Sequence, residues 1–354
     1  MHYYMNPKAI ILFGGLFWSG LFLQAQDQQF TQFYSAPLTL NPALTGAFDG
    51  KFRVSAIYRD QWRSILDNPY VTFSTAMDLR FGVRWRGAKR KDAAALGLMF
   101  YSDKVPGFDF STNQISISGA FHKALDLASR QFLSIGIQGG IAQRGINYED
   151  LTFSDQFNGT DNYSDLTAEQ LPENTYSYAD FSVGLNYSVA PRGGTHLFVG
   201  AAMHHFLQPS VSFYDQVEDG TPDNQYLVRY SAQVGLHVPL GDKVQLLPRA
   251  NISMQGQHMV MNAGTNFRFV LSEYANVALH LGGWVRPVRD ELDEFGIDAV
   301  VAMIGVEYSN VLFGFSYDAN LNDLTNSRQG QGAFEISVAY LGEYENDAVL
   351  CPKF

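Results

Sequence analysis

The chain has 354 residues, 46% of them hydrophobic and 14% aromatic, with 24 Lys and Arg against 35 Asp and Glu for a net charge of −11. That balance speaks against a nucleic-acid partner, which selects a basic face, and a single cysteine, Cys351, excludes an internal disulfide framework. Past the N-terminal region no stretch approaches the ~20 unbroken apolar residues of a membrane helix.

The one long apolar run, Ala9 to Leu23, follows Lys8 and precedes the polar Gln24-Ala25-Gln26. A basic start, an apolar stretch and a small residue at the cut describe an export signal over residues 1–25, cleaved after Ala25. An uncleaved anchor is the alternative, and Gly14, Gly15 and Gly20 count against it. Residues 26–50 read as an extended, proline-containing N-terminal segment, 51–342 as one domain of strands, and 343–354 as a short tail.

Within 51–342 apolar and polar residues alternate. From Phe181 to Val189 every odd position is apolar and every even one small or polar, and Val228 to Leu240 repeats the pattern. So do Ile115–Phe121, Leu133–Ile141, Val277–Val285, Val300–Tyr308 and Val311–Leu321. A strand sends alternate side chains to opposite faces, so each segment has one oily and one polar face. About fourteen segments result, an even number as in bacterial outer-membrane barrels. They begin near Phe52, Thr72, Ala93, Thr112, Gln131, Tyr178, Thr195, Gln225, Lys243, Gln257, Tyr274, Asp298, Val311 and Gly332. Connections after even-numbered segments are mostly short, and those after odd-numbered ones mostly long, above all Asn147–Ser177, Gln208–Asn224, Arg286–Ile297 and Asn320–Gln331. Short periplasmic turns alternate in this way with long external loops.

Lipid offers the backbone no partners, so strands cross a membrane only in a closed sheet. The expected fold is an antiparallel transmembrane β-barrel of the outer-membrane type. A soluble sandwich or propeller also alternates. Against it stand a polar face of Gly, Ser, Asn and Gln, and aromatic residues near segment ends, among them Tyr58, Trp62, Phe81, Trp85, Phe100, Tyr101, Tyr187, Trp284, Tyr308, Tyr317, Tyr340 and Tyr344. Interfacial girdles have that placement.

The start of the mature chain carries a recognisable motif. Gln29-Phe30-Thr31-Gln32-Phe33-Tyr34-Ser35-Ala36-Pro37, continuing to Asn41-Pro42-Ala43-Leu44-Thr45-Gly46, resembles the opening of the PorP/SprF family of type IX secretion membrane proteins. Tyr58-Arg59-Asp60-Gln61-Trp62 is similar to that family's motif at the end of the first strand, and Cys351-Pro352-Lys353-Phe354 to its terminal signature. The first motif is fairly specific, the tail weak alone. The resemblance implies a Bacteroidota outer-membrane protein without a cofactor, which helps secrete or retain surface proteins bearing a C-terminal signal domain, gliding adhesins included. The partners it implies are outer-membrane lipid, that cargo, the translocon, and periplasmic components of the machine.

Candidate chemistry is sparse. His204, His237 and His280 share inward parity, but no nucleophile elbow accompanies them, so hydrolysis is not expected. His204 and His205, as strand neighbours, are expected to face opposite ways and share no metal. The acidic loop from Asp155 through Asn158, Asp161 and Asn162 to Asp165 has oxygen ligands but not the order of a calcium loop. Charges of inward parity carry more: Arg53, Arg59, Asp78, Arg80, Arg229, Arg249, Arg268, Glu307, Asp318 and Glu335. Their mixed signs suit pairing across a lumen closed by the N-terminal segment better than a selective ring. Phe30, Phe33 and Tyr34 fit either a plug in the barrel mouth or a docking strip for a partner. A secretion accessory is the expected role, a passive porin the alternative.

Overall fold

A computed structural model describes residues 27, 29–64, 66–83, 91–105, 109–148, 151–160, 162–163, 166–191, 194–213, 225–289, 295–321 and 332–342. The leader, the tail with Cys351 and Pro352, Trp85, Tyr344, Asp161 and Asp165 lie outside them.

Fourteen strands form one closed antiparallel barrel. They are β1 (Phe52–Gln61), β2 (Tyr70–Val83), β3 (Asp92–Val105), β4 (Phe110–Ala124), β5 (Gln131–Gly145), β6 (Thr175–Val189) and β7 (His196–His204). The second half comprises β8 (Arg229–Pro239), β9 (Val244–Gln255), β10 (His258–Ser272), β11 (Val277–Arg289), β12 (Phe295–Tyr308), β13 (Val311–Asn320) and β14 (Gly332–Gly342). Closure is made by β1 against β14, in register from Phe52↔Gly342 to Gln61↔Ala333. No strand is left with an open edge. Tyr274 and Gln225, expected near strand starts, sit instead in a turn and in an isolated bridge to Ser210.

The two faces separate as the alternation predicts. Ile115 and Ile117 are 59% and 64% exposed, while Ser116 and Ser118 between and after them are 1% and 2%. The exposed residues form the lipid stripe, so the buried core lies inside the ring. Pro287, which has no N–H for the ladder, sits at a register shift between β11 and β12.

Residues 29–49 pack the inside. They form 3-10 turns at Phe33–Ser35 and Pro42–Leu44 around a short helix, α1 (Pro37–Leu40). Pro37 opens α1, where its missing N–H costs nothing. Phe30, Phe33, Tyr34, Leu38, Leu40, Ala43 and Leu44 are all buried. The rings of the N-terminal motif therefore pack in the lumen and offer no exposed strip to a partner. Phe33 and Tyr34 meet Trp284 at ring separations of 5.6 and 5.7 Å, edge-on and stacked. This corrects the placement of Trp284 and Tyr101 in the lipid girdle: Trp284 has inward parity on β11 and is 3% exposed, and Tyr101 on β3 packs inward against Phe30, Ala36 and Leu38.

Glycines in the wall admit this segment. A Cβ on Gly136 would lie 2.4 Å from Pro42 and Ala43 backbone atoms, and one on Gly184 2.0 Å from the Asn41 side-chain oxygen. Gly184→Val is therefore expected to push the segment off β6 at about 1–3 kcal/mol. The check is the temperature at which the folded barrel converts to its slower-migrating form on a detergent gel. An unchanged temperature contradicts the close fit.

Candidate functional site: the packed lumen

The N-terminal motif meets the first-strand motif in an ionic cluster. The Thr31 and Gln32 backbone N–H groups donate to the two Glu335 oxygens at 2.7 and 2.8 Å. Arg59 on β1 lies 2.6 Å from Glu335 and 2.8 Å from Asp318. Arg286 on β11 bonds Asp318 and the Thr31 hydroxyl, and that hydroxyl donates to Asp318 at 2.8 Å. Gln32 donates to Ser316 at 2.9 Å and accepts from Ser337 at 2.8 Å. Two guanidinium groups thus face two carboxylates, with Glu335 0% exposed. Charges this deep persist only when paired and hydrogen-bonded, so the cluster depends on every member. Gln61 accepts from Arg59 at 3.4 Å, a marginal contact. Tyr58 donates to Asp60 at 3.1 Å. Trp62 takes a left-handed φ of 65° as β1 ends, and its ring lies 5.2 Å from Tyr70.

A second lock holds the other end of the segment. Asp78 accepts from the Gly46 N–H at 2.7 Å and from Arg53 at 2.6 and 3.0 Å, and Arg53 also donates to the Leu44 carbonyl at 3.2 Å. Gly46 adopts φ 70°, and a Cβ there would meet Ala95 at 2.2 Å. Arg80 donates to the Phe48 carbonyl at 2.9 Å. Between the locks, Asn41 accepts from Ala43 N–H at 2.8 Å and donates to the Leu185 carbonyl at 3.0 Å, while Arg249 lies 4.5 Å from the Tyr34 ring. Gln29 places its side-chain oxygen in the interior without a partner among the described residues.

The mixed-sign charges pair with neighbouring strands and with the segment, not across an open lumen. Arg53 and Asp78 are direct cross-strand partners, as are Arg59 and Glu335. Arg268 on β10 binds Glu307 on β12, which also accepts from His280 at 2.8 Å. Arg286, placed in a loop by its sequence, joins the cluster because β11 runs on to Arg289.

The outer end is closed by a latch. Asp27 accepts from His205 at 2.8 Å, lies 3.0 Å from Arg229, and accepts from the Tyr226 hydroxyl. His205 also faces Asp180 at 2.8 Å. His204 and His205 both turn inward, against the expectation for strand neighbours, because His205 takes φ 55° and ends β7. The His204 ring donates to the Leu40 carbonyl at 3.2 Å and lies 3.2 Å from the Ser182 and Ser231 hydroxyls.

His205 stands just beyond β7. Burial disfavours its charge, but Asp27 and Asp180 outweigh that and raise it to about 9. Burial works against the Asp27 carboxylate too, yet His205 and Arg229 hold it well below the ordinary range. The histidine's contribution is fully present below its unfolded value of about 6.5 and is lost as pH rises through about 9. That of Asp27 is present above about 3.9 and is lost as pH falls through its depressed value. The latch is thus expected to hold from mildly acidic to neutral pH and loosen toward pH 10. Proteolysis of the N-terminal segment in detergent checks this, and His205→Gln should flatten the alkaline limb. An increase in protection on the alkaline side contradicts it.

His122 and His204 both contact serines, but each gives its other ring nitrogen to a carbonyl of the N-terminal segment, at Thr45 and Leu40. An orienting carboxylate would need that nitrogen. In the acidic loop Asp155 is occupied by Thr167 and the Ala168 N–H at 2.7 Å. Among the described residues no cluster of His, Cys, Asp and Glu is arranged to hold a metal.

Comparison with known proteins places this geometry. The family model described as "Type IX secretion system membrane protein PorP/SprF" matches residues 22–340. No curated protein matches. Among solved structures, the TodX monoaromatic hydrocarbon channel deltaS2 mutant is 10% identical, with 88% of this chain and 94% of that one covered at a TM-score of 0.48. A Pseudomonas aeruginosa FadL homologue is 11% identical, covering 85% and 92% at 0.48. BamA from Haemophilus ducreyi lacking POTRA domains 1–3 is 8% identical, covering 83% and 70% at 0.43.

Proposed function

The chain belongs to the PorP/SprF family of type IX secretion system membrane proteins, and from that premise we propose that it is a closed accessory barrel that holds a secreted surface protein beside the translocon. It is an outer-membrane barrel of a secretion machine, not a member of a known enzyme family. The observation that carries the proposal is the occupied lumen. Residues 29–49 are buried among wall charges that receive their backbone groups, an arrangement suited to a rigid docking platform rather than a conduit.

Recognition is assigned to the long loops after β5, β7 and β11, because loops on a rigid scaffold carry binding while the scaffold carries stability. Their cargo is a surface protein with a C-terminal signal domain, of the gliding-adhesin type, and periplasmic machine components meet the other rim. We assign the leader to residues 1–25, with cleavage after Ala25; the mass of the purified mature barrel checks that cut. The test of the role is loop exchange. Moving residues 147–174, 208–224 and 290–294, which lie outside the strands, between family members of one genome should redirect which surface protein is retained. Retention of the original cargo after all three exchanges contradicts the assignment.

A passive porin is the second reading. The wall keeps cationic and anionic side chains inward, such as Arg249, Arg268 and Glu307, which would line a pore if the N-terminal segment left.

A further inference from the structure

Above the N-terminal segment lies a chamber of about 520 Å³. Its walls are the ends of β3 to β8 from which the long loops emerge, with His258 of β10, and its floor is Leu38 and Thr39. Four of its carboxylates and cations neutralise one another: Asp27, His205 and Arg229 form the latch, and Asp180 is held by His205 and by Gln114 at 3.1 Å.

One cation and one anion remain outside that network. Arg144 on β5 has its guanidinium 4.8 Å from the Tyr226 ring centre and 5.7 Å from that of Tyr178. Among the described residues no carboxylate forms an ion pair with it, and its buried Nε has no hydrogen-bond partner. Among the described residues, Asp103 on β3 accepts only from the Thr72 hydroxyl, at 2.7 Å. The register places Asp103, Thr112 and Arg144 side by side on three adjacent strands. Two interstrand spacings put the Cα atoms of the charged pair about 10 Å apart. Deeper in the chamber, Gln138 is 6% exposed, and its side-chain oxygen is without a partner among the described residues.

We propose that this chamber binds a peptide ligand bearing a carboxylate and an ammonium group, the carboxylate on Arg144 and the ammonium on Asp103. A guanidinium presents a planar fork that matches a carboxylate with two hydrogen bonds, and aromatic faces around it hold the fork in place. Tyr101, Tyr178 and Tyr226 give the ligand's body apolar area with polar tips. Gln138 supplies an acceptor for a peptide N–H. Among the described residues neither group is paired with an opposite charge, so a ligand of one sign would leave the other charge facing it unpaired. The site goes beyond the docking role assigned to the outer loops and does not depend on it, because it is complete within the purified barrel.

The ligand's charges have two sources: the free termini of a short peptide, or acidic and basic side chains within a longer segment. Isothermal titration of the barrel in detergent separates them with two probes, Ala-Tyr-Ala with free ends and acetyl-Lys-Tyr-Glu-amide. Saturable binding of at least one probe is expected. Blocking one end of the first, or replacing Lys or Glu of the second by Gln, should weaken it at least tenfold. Arg144→Gln and Asp103→Asn should each lose tenfold or more for whichever probe binds, while Arg144→Lys keeps part of the affinity. The folded form of each variant is verified by its migration on a detergent gel. Saturation by neither probe overturns the proposal. So does equal binding of blocked and unblocked peptide, unchanged affinity in folded Arg144→Gln, or displacement by the neutral disaccharide maltose at the peptide's own concentration.

Discussion

Arg59→Met is expected to destabilise the barrel by about 3–5 kcal/mol, the cost of stripping one partner from a buried ion cluster. Arg59 touches both Asp318 and Glu335, so its loss leaves two buried carboxylates against Arg286, which bonds Asp318. Glu335 suffers most, because it is fully buried and already accepts the Thr31 and Gln32 N–H groups. The gel transition temperature should fall and the N-terminal segment should become open to protease. Lysine at this position keeps the charge, but a single ammonium does not reproduce a planar fork that reaches two carboxylates. Adding Glu335→Gln to Arg59→Met removes the orphaned charge, so the double variant should lose less than the sum of the two single ones. Additive losses would mean that the two residues act independently, against the cluster described.

Deleting residues 27–49 carries the second large effect. Those residues fill the ring with Phe33, Tyr34, Leu38, Leu40 and Leu44 and occupy the carboxylates of Asp78 and Glu335. Without them the inward Arg53, Arg59, Arg249 and Asp318 face water, which an outer-membrane barrel tolerates in its lumen far better than in lipid. The deletion variant should assemble as a less stable barrel that admits small sugars. Swelling of liposomes in isotonic sugar measures this, with the intact chain giving none. Exclusion of sugars by an assembled deletion variant would mean that the wall charges or the loops close the barrel without the segment.

Strand number and faces are readable in the alternation because lipid and lumen impose opposite demands on successive residues. The isoleucines and serines of β4 show that demand in four consecutive positions, from Ile115 to Ser118. What escaped was set by backbone detail that alternation does not encode. Trp284 looks like a girdle residue from composition, and only its parity on β11, opposite Phe33 and Tyr34, turns it inward. His205 breaks the two-residue period through one left-handed φ, and that step builds the latch. Arg286 lies near a strand end, where an unbroken apolar stripe has already stopped and a loop is the natural reading. It in fact continues the inward face. For Arg286 the missed signal was its even spacing from His280 and Trp284. The glycines at 136 and 184 gave no sign that they faced Asn41-Pro42-Ala43, since a strand glycine marks a close approach without naming the visitor.

The most direct test is the electrical behaviour of the intact mature chain. Reconstituted in a planar lipid bilayer at neutral pH, it should insert as a barrel yet pass no steady current above that of the bare membrane, while the chain lacking residues 27–49 conducts. A large, steady conductance from the intact chain would contradict the account, because it would show that the N-terminal segment does not occupy the lumen in a membrane.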